Sequence, residues 1–125
     1  MARIIIAEDE KDIRELIAFT LRYVGHDVLA YSNGEEAWNK TLVEMPDLII
    51  LDIRMPVMTG YEVCEKIKAN PLTEQIPVVF LTSKGQEEEI KTGFDHGALD
   101  YLLKPFAPEE LNKKVQSILS RNQTT

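Results

Sequence analysis

The sequence predicts an α/β fold, a doubly wound (βα)5 chain with a five-stranded parallel sheet covered by helices on both faces. Two observations predict it. Short apolar runs alternate with amphipathic stretches from one end of the chain to the other. Three of those runs, Ile4-Ile5-Ile6, Leu48-Ile49-Ile50-Leu51 and Val78-Val79-Phe80-Leu81, are continuous rather than alternating, as in strands buried on both sides.

The elements follow in order. Arg3–Ala7 reads as the first strand. Ile13, Leu16, Ile17, Leu21 and Val24 recur at helical spacing, and Gly25 sits where helices end. Asp27–Tyr31 is the second strand. Asn33 supplies a cap, and Glu35 and Glu36 supply first-turn acids, for a helix toward Glu44. Residues 47–51 form the third strand. Residues 60–70 carry Val63, Cys64 and Ile67 on one helical stripe, which Asn70-Pro71 stops. Residues 77–81 are the fourth strand. Residues 86–96 form a helix with a weak apolar face, mainly Ile90 and Phe94. Residues 99–103 are the fifth strand. Pro108 suits a first helical turn, and Leu111, Val115, Ile118 and Leu119 make the last amphipathic helix. Ala107, just before it, is a poor cap.

With 125 residues the chain is long enough for one core, so residues 1–121 are expected to form a single domain and 122–125 a flexible tail. The net charge of −7 argues against direct nucleic-acid binding, which needs clustered Lys and Arg. No apolar run approaches the ~20 residues that span a bilayer. The N-terminal stretch is too short and too acidic for a signal peptide, and Cys64 has no partner for an internal disulfide. A cytoplasmic protein without membrane contact is expected. The tail's composition leaves open both a stand-alone domain and the front of a longer protein.

In open parallel sheets, sites form at the carboxyl ends of the strands. Glu8 and Asp9 follow the first strand, Asp52 the third, Thr82 and Ser83 the fourth, and Lys104-Pro105 the fifth. Three carboxylates brought together repel, so one stays protonated or a cation neutralises them. Oxygen donors without His or Cys suit Mg²⁺ rather than Zn²⁺. A carboxylate beside Mg²⁺ can attack phosphorus and form an aspartyl phosphate. That chemistry needs positioning and charge neutralisation, which Mg²⁺, Lys104 and the Thr82 hydroxyl would supply.

Four pieces, IIIAEDE, LDIRMPVMTGYE, PVVFLTSK and GALDYLLKPF, stand in this order at the strand ends. From about Arg3 to about Arg121 the chain resembles a response-regulator receiver domain of the CheY-like type. The resemblance implies a flavodoxin-like sheet of strand order 2-1-3-4-5. It implies that Asp52 accepts a phosphoryl group from a histidine kinase or phosphotransfer protein. Glu8, Asp9, Asp52 and the Arg54 backbone carbonyl would hold Mg²⁺ or Mn²⁺. Lys104 would bind the phosphoryl oxygens, and Ser83 would leave the phosphorus accessible. Thr82 and Tyr101 would be the switch pair, and the Lys104-Pro105 bond would be cis. Arg54 and Lys84 would tune the lifetime of the phosphoryl group. The fourth helix, fifth strand and fifth helix would present the switched face to a downstream effector, or to a second copy in a homodimer formed on phosphorylation. Asp100 and Lys114 suit cross-subunit pairs there, while Ile90 and Leu99 make the face more apolar than such a dimer calls for.

Rival readings remain. A haloacid-dehalogenase-type aspartate phosphatase carries a second acid two residues after its nucleophile, where this chain has Arg54. A flavodoxin needs a phosphate loop after the first strand, where Glu8-Asp9-Glu10 would repel phosphate. A binding module that is never phosphorylated has no need of the acids, Thr82 and Lys104 together. Other residues invite plainer readings. Glu87-Glu88-Glu89 reads as a solvated helix start, Tyr101 as a rim residue, Cys64 as inert, and Trp38 as packing. His26 and His96 sit at element ends and are assigned no chemistry.

Overall fold

The structure is a computed structural model that describes residues 2–83 and 87–123. Lys84, one of the expected lifetime-tuning positions, and Gln86, the expected first residue of the fourth helix, lie outside the described residues. So do Thr124 and Thr125.

The chain alternates strand and helix as expected: β1 (Arg3–Ala7), α1 (Lys11–Tyr23), β2 (Asp27–Tyr31), α2 (Gly34–Glu44), β3 (Leu48–Asp52), α3 (Gly60–Ala69), β4 (Val78–Ser83), α4 (Glu87–Asp95), β5 (Asp100–Lys104) and α5 (Pro108–Gln123). The strands pair in parallel in the order β2-β1-β3-β4-β5. The crossover from β2 past β1 to β3 makes the switch point, and the site residues sit beside it.

Side chains alternate across the sheet, and each face has its own core. Ile4, Ile6, Leu48, Ile50, Val79 and Leu81 pack with Ile17 and Leu21 of α1 and Leu111, Val115 and Ile118 of α5. Ile5, Ala7, Ile49, Leu51, Val78 and Phe80 pack on the other face with Val63, Cys64 and Ile67 of α3. This is why the central strands read as unbroken apolar runs: both faces are dry. Each such Ile or Leu is worth about 1.5–3 kcal/mol on burial.

Several boundaries and faces differ from the sequence expectations. β3 ends on Asp52, β4 includes Thr82 and Ser83, and β5 ends on Lys104, so these residues belong to the strands rather than to the loops after them. In α1 the buried positions are Ile17, Ala18, Thr20 and Leu21, while Leu16 and Val24 are about two-fifths exposed. In α4 the inward residue is Gly93, not Phe94, which is 45% exposed. A Cβ on Gly93 would lie 2.6 Å from the Phe80 ring, so the helix approaches the sheet through a missing side chain. Expected features also appear: Asn33 Oδ1 accepts from Glu36 N–H at the start of α2, and Gly25 takes φ +101° after α1. Thr59 and Glu62 form a full capping box at α3. The weak cap at Ala107 is relieved from inside α5, where the Glu110 carboxylate accepts from Ala107 N–H at 2.8 Å. Asn122 and Gln123, expected in the tail, continue α5. Among the described residues, no helix is long and apolar enough to cross a membrane.

Candidate functional site at the C-terminal edge of the sheet

Glu8 follows β1 directly, and its N–H donates to Tyr31 O at 3.0 Å, extending the ladder by one bond. Its side chain is therefore held in line with the sheet, fully buried. Arg14 of α1 donates to the Glu8 and Asp9 carbonyls at 2.9 and 3.3 Å and pins the turn. Asp9 is exposed. Asp52 ends β3 with only 6% exposure, and its Oδ1 accepts from Ile53 N–H at 2.9 Å. Gly60 lets the start of α3 close beneath it: a Cβ there would lie 2.3 Å from the Asp52 carbonyl oxygen.

Lys104 reaches inward from the edge strand β5. Its Nζ lies 3.3 Å from both Glu8 Oε1 and Asp52 Oδ1. The Lys104–Pro105 peptide is cis. Oxygens of Glu8, Asp9 and Asp52 all fall within 4.8 Å of one another. Such a set of hard donors, partly open to solvent, fits a divalent cation of the Mg²⁺ or Mn²⁺ kind and offers nothing to a soft metal.

The electrostatics are those of crowded acids with too little cation. Burial, then repulsion from Asp52, pushes Glu8 from its ordinary 4.5 up to about 7. Burial also raises Asp52, against the pull of Lys104. For Lys104, burial pushes downward, but attraction to Asp52 and Glu8 and hydrogen bonds to both outweigh it, so the net shift is upward. The ammonium stays charged and relieves only part of the repulsion.

Above these groups lies an open cleft of about 270 Å³, lined by Asp9, Asp52, Arg54, Thr82, Ser83 and Lys104 among others. Glu8 is fully buried, 3.3 Å from the Nζ of Lys104. Thr82 is buried and its hydroxyl donates to Glu89 Oε1 at 2.7 Å. Ser83 is exposed at the rim. Tyr101 stands apart from the cleft. It is half-buried, meets Phe94 edge-on at 6.0 Å, and lies 5.6 Å below Lys114 Nζ. Asp100 and Lys114 pair with each other within the chain at 3.2 Å, with Arg121 3.7 Å from the same carboxylate.

Glu89 corrects the sequence reading. It is not a freely solvated member of an acidic helix start: its side chain is 15% exposed and also bonds Arg54 Nε at 2.8 Å. The sequence carries half of the signal, a shared helix face, but not which face turns to the sheet. Glu89 stands four residues before Gly93, so the two share the face that α4 turns to the sheet. The plainer readings of Cys64 and Trp38 fit their surroundings. Burial pushes the Cys64 thiol up to about 11, and Trp38 packs on the core. His96 stacks on Tyr61 at 5.1 Å.

Comparison with known proteins agrees with this geometry. The sequence profile of the response regulator receiver domain matches residues 4–116. The chain is 40% identical to the alkaline phosphatase synthesis transcriptional regulatory protein PhoP of Bacillus subtilis, over 97% of this chain and 50% of that one. It is 39% identical to the phosphate regulon transcriptional regulatory protein PhoB of Pseudomonas aeruginosa, over 94% of this chain and 52% of that one. The chain thus spans about half the length of these curated relatives. Among solved structures, the chemotaxis response regulator CheY4 of Vibrio cholerae superposes with a TM-score of 0.89 at 34% identity, over 94% of this chain and 98% of that one. A buried acid cluster at the switch point of a 2-1-3-4-5 sheet, a matching profile over nearly the whole chain and these relatives agree: the chain belongs to the response regulator receiver domain family of two-component systems.

Proposed function

We propose that residues 1–121 act as a phosphorylation-activated receiver in the cytoplasm. Asp52 takes the phosphoryl group from a phosphohistidine of a histidine kinase or phosphotransfer protein. A bond forms between an Asp52 carboxylate oxygen and phosphorus as the P–N bond to the histidine breaks, and the leaving imidazole takes up a proton. The observation that carries this reading is the Asp52 carboxylate itself, nearly buried at a strand end, 3.3 Å from Lys104 and facing an open cleft.

Each residue then has a part. Ile53 N–H and Lys104 orient the Asp52 carboxylate. Lys104 is placed to follow the phosphoryl oxygens once they arrive. Glu8, Asp9 and Asp52, with the Arg54 carbonyl, would hold Mg²⁺ or Mn²⁺, which when bound offsets the charge that gathers on the oxygens. Ser83 keeps the rim small and polar. Thr82 and Tyr101 carry the change outward to α4, β5 and α5, where a downstream effector or a second copy binds. An aspartate-nucleophile phosphatase fits less well, because the position two residues after Asp52 holds Arg54, a cation already paired with Glu89.

Intact mass after incubation with Mg²⁺ and acetyl phosphate tests the reading. One acid- and base-labile phosphoryl adduct is expected on the wild type and none on Asp52→Asn. Steady release of inorganic phosphate with no adduct would replace the receiver with a phosphatase.

A further inference from the structure

Glu89 lines the cleft yet lies outside the set of acids that would hold the cation. It makes three bonds to three other parts of the fold. Oε1 accepts the Thr82 hydroxyl of β4 at 2.7 Å. Oε2 accepts from Arg54, just past β3, at 2.8 Å. Its backbone carbonyl accepts the Tyr61 hydroxyl of α3 at 3.0 Å. Tyr61 is itself fixed, edge-on to Phe80 at 5.5 Å and stacked on His96 at 5.1 Å. The first turn of α4 is therefore tied to β4 by a carboxylate on one side and to α3 by a tyrosine on the other.

A threonine hydroxyl has one proton to donate. Thr82 gives it to Glu89 in this structure, and the same proton is the one a phosphoryl oxygen on Asp52 would claim. We propose that Glu89 is a restraining residue: its carboxylate holds the Thr82 hydroxyl, and α4 with it, in the unphosphorylated arrangement, and the phosphoryl group acts by taking that hydroxyl away. The inference rests on Asp52 as the phosphoacceptor. A ligand shifts a two-state equilibrium only by its differential contacts. Here the exchange of Thr82 from one anion to another is that difference. On release, Glu89 keeps Arg54 and loses β4, so the start of α4 loses one of its ties to the sheet. Glu89 is thus a positioning residue that acts through Thr82.

The test uses the full chain and beryllofluoride with Mg²⁺, a stable phosphoryl mimic, titrated by amide NMR. Wild type, Glu89→Ala, Thr82→Ala and the double variant are compared. Glu89→Ala is expected to lower the half-saturating concentration about tenfold, the scale of one charge-assisted hydrogen bond after water replaces it. In the Thr82→Ala background the same change is expected to do less than about twofold. Glu89→Gln keeps an acceptor for Thr82 and weakens the link to Arg54, so it should fall between wild type and Glu89→Ala. It also serves should Glu89→Ala misfold. Equal effects in both Thr82 backgrounds would show Glu89 to be merely structural and overturn the proposal, as would unchanged or weaker binding by Glu89→Ala and Glu89→Gln. If the wild type itself neither binds the mimic nor forms an adduct at Asp52, the receiver reading fails first. Binding by the wild type with indifferent Glu89 variants removes the restraint alone.

Discussion

The two ends of the sheet gather the same charges and do opposite things with them. At the N-terminal edge Arg3 bonds Asp27 at 2.8 Å and Glu44 at 3.0 Å, and its backbone N–H donates to Asp47 at 2.8 Å. At the C-terminal edge Lys104 faces Glu8 and Asp52, with Asp9 beside them. Each of these two clusters, among the described residues, sets one cationic side chain against three acids. The first cluster is largely solvent-exposed, so water screens its surplus charge and leaves little coupling. The second is mostly buried, so desolvation first and repulsion from Asp52 second raise the Glu8 carboxyl to about 7, against the pull of Lys104. Burial, rather than the count of acids, makes one edge a cluster of raised carboxyls and the other a surface tie. An edge with unrelieved negative charge is one that a divalent cation stabilises.

This contrast can be broken in four ways. The largest effect expected is on phosphorylation: Asp52→Asn abolishes the acetyl phosphate adduct, whereas Asp27→Asn at the other edge leaves its mass and yield unchanged. Next comes Lys104→Met, which leaves two buried acids without their cation. It should cost about 3 kcal/mol in metal-free urea unfolding at pH 8, and less at pH 5, where Glu8 is protonated. A cost independent of pH would mean that Lys104 acts through packing alone.

Glu8→Gln is expected to do the reverse. Because Glu8 is raised from 4.5 to about 7, folding favours its protonated form. Its contribution is full below about pH 4.5 and is lost as pH rises through about 7. The metal-free variant should therefore be more stable than wild type at pH 8, by on the order of 1–2 kcal/mol, with the gap closing toward pH 5. Added Mg²⁺ should shrink the gap at pH 8 by stabilising the wild type more. The smallest effect belongs to Arg3→Ala, whose urea midpoint should stay close to that of wild type and whose Mg²⁺ response should not change. A pH-dependent loss there would undo the contrast between the two edges.

Most of the fold and half of the site's logic lie in local sequence. Strand runs such as Leu48–Leu51, the cap at Asn33 and the positive-φ glycine after α1 are local matters of periodicity, capping and backbone freedom, and they sit where the residues said they would. The order of acids, hydroxyls and lysine at strand ends was legible for the same reason: in a parallel α/β chain every strand end points to one edge. What local pattern could not reveal is which of several similar side chains turns inward. Glu87, Glu88 and Glu89 look alike in sequence, and only the packing of Gly93 on Phe80 decides that Glu89 meets Thr82 and Arg54. Leu16 and Phe94 were misplaced for a related reason: a helix face is chosen by what the sheet offers it. The sequence by itself determined the alternation, the parallel sheet and the residues at the carboxyl ends of its strands, because these follow from short-range propensity and chain order. Tertiary structure alone decided the raised Glu8, the doubly engaged Lys104 and the Thr82–Glu89 bond, because desolvation and hydrogen-bond choice depend on neighbours that are distant in the chain and close in space.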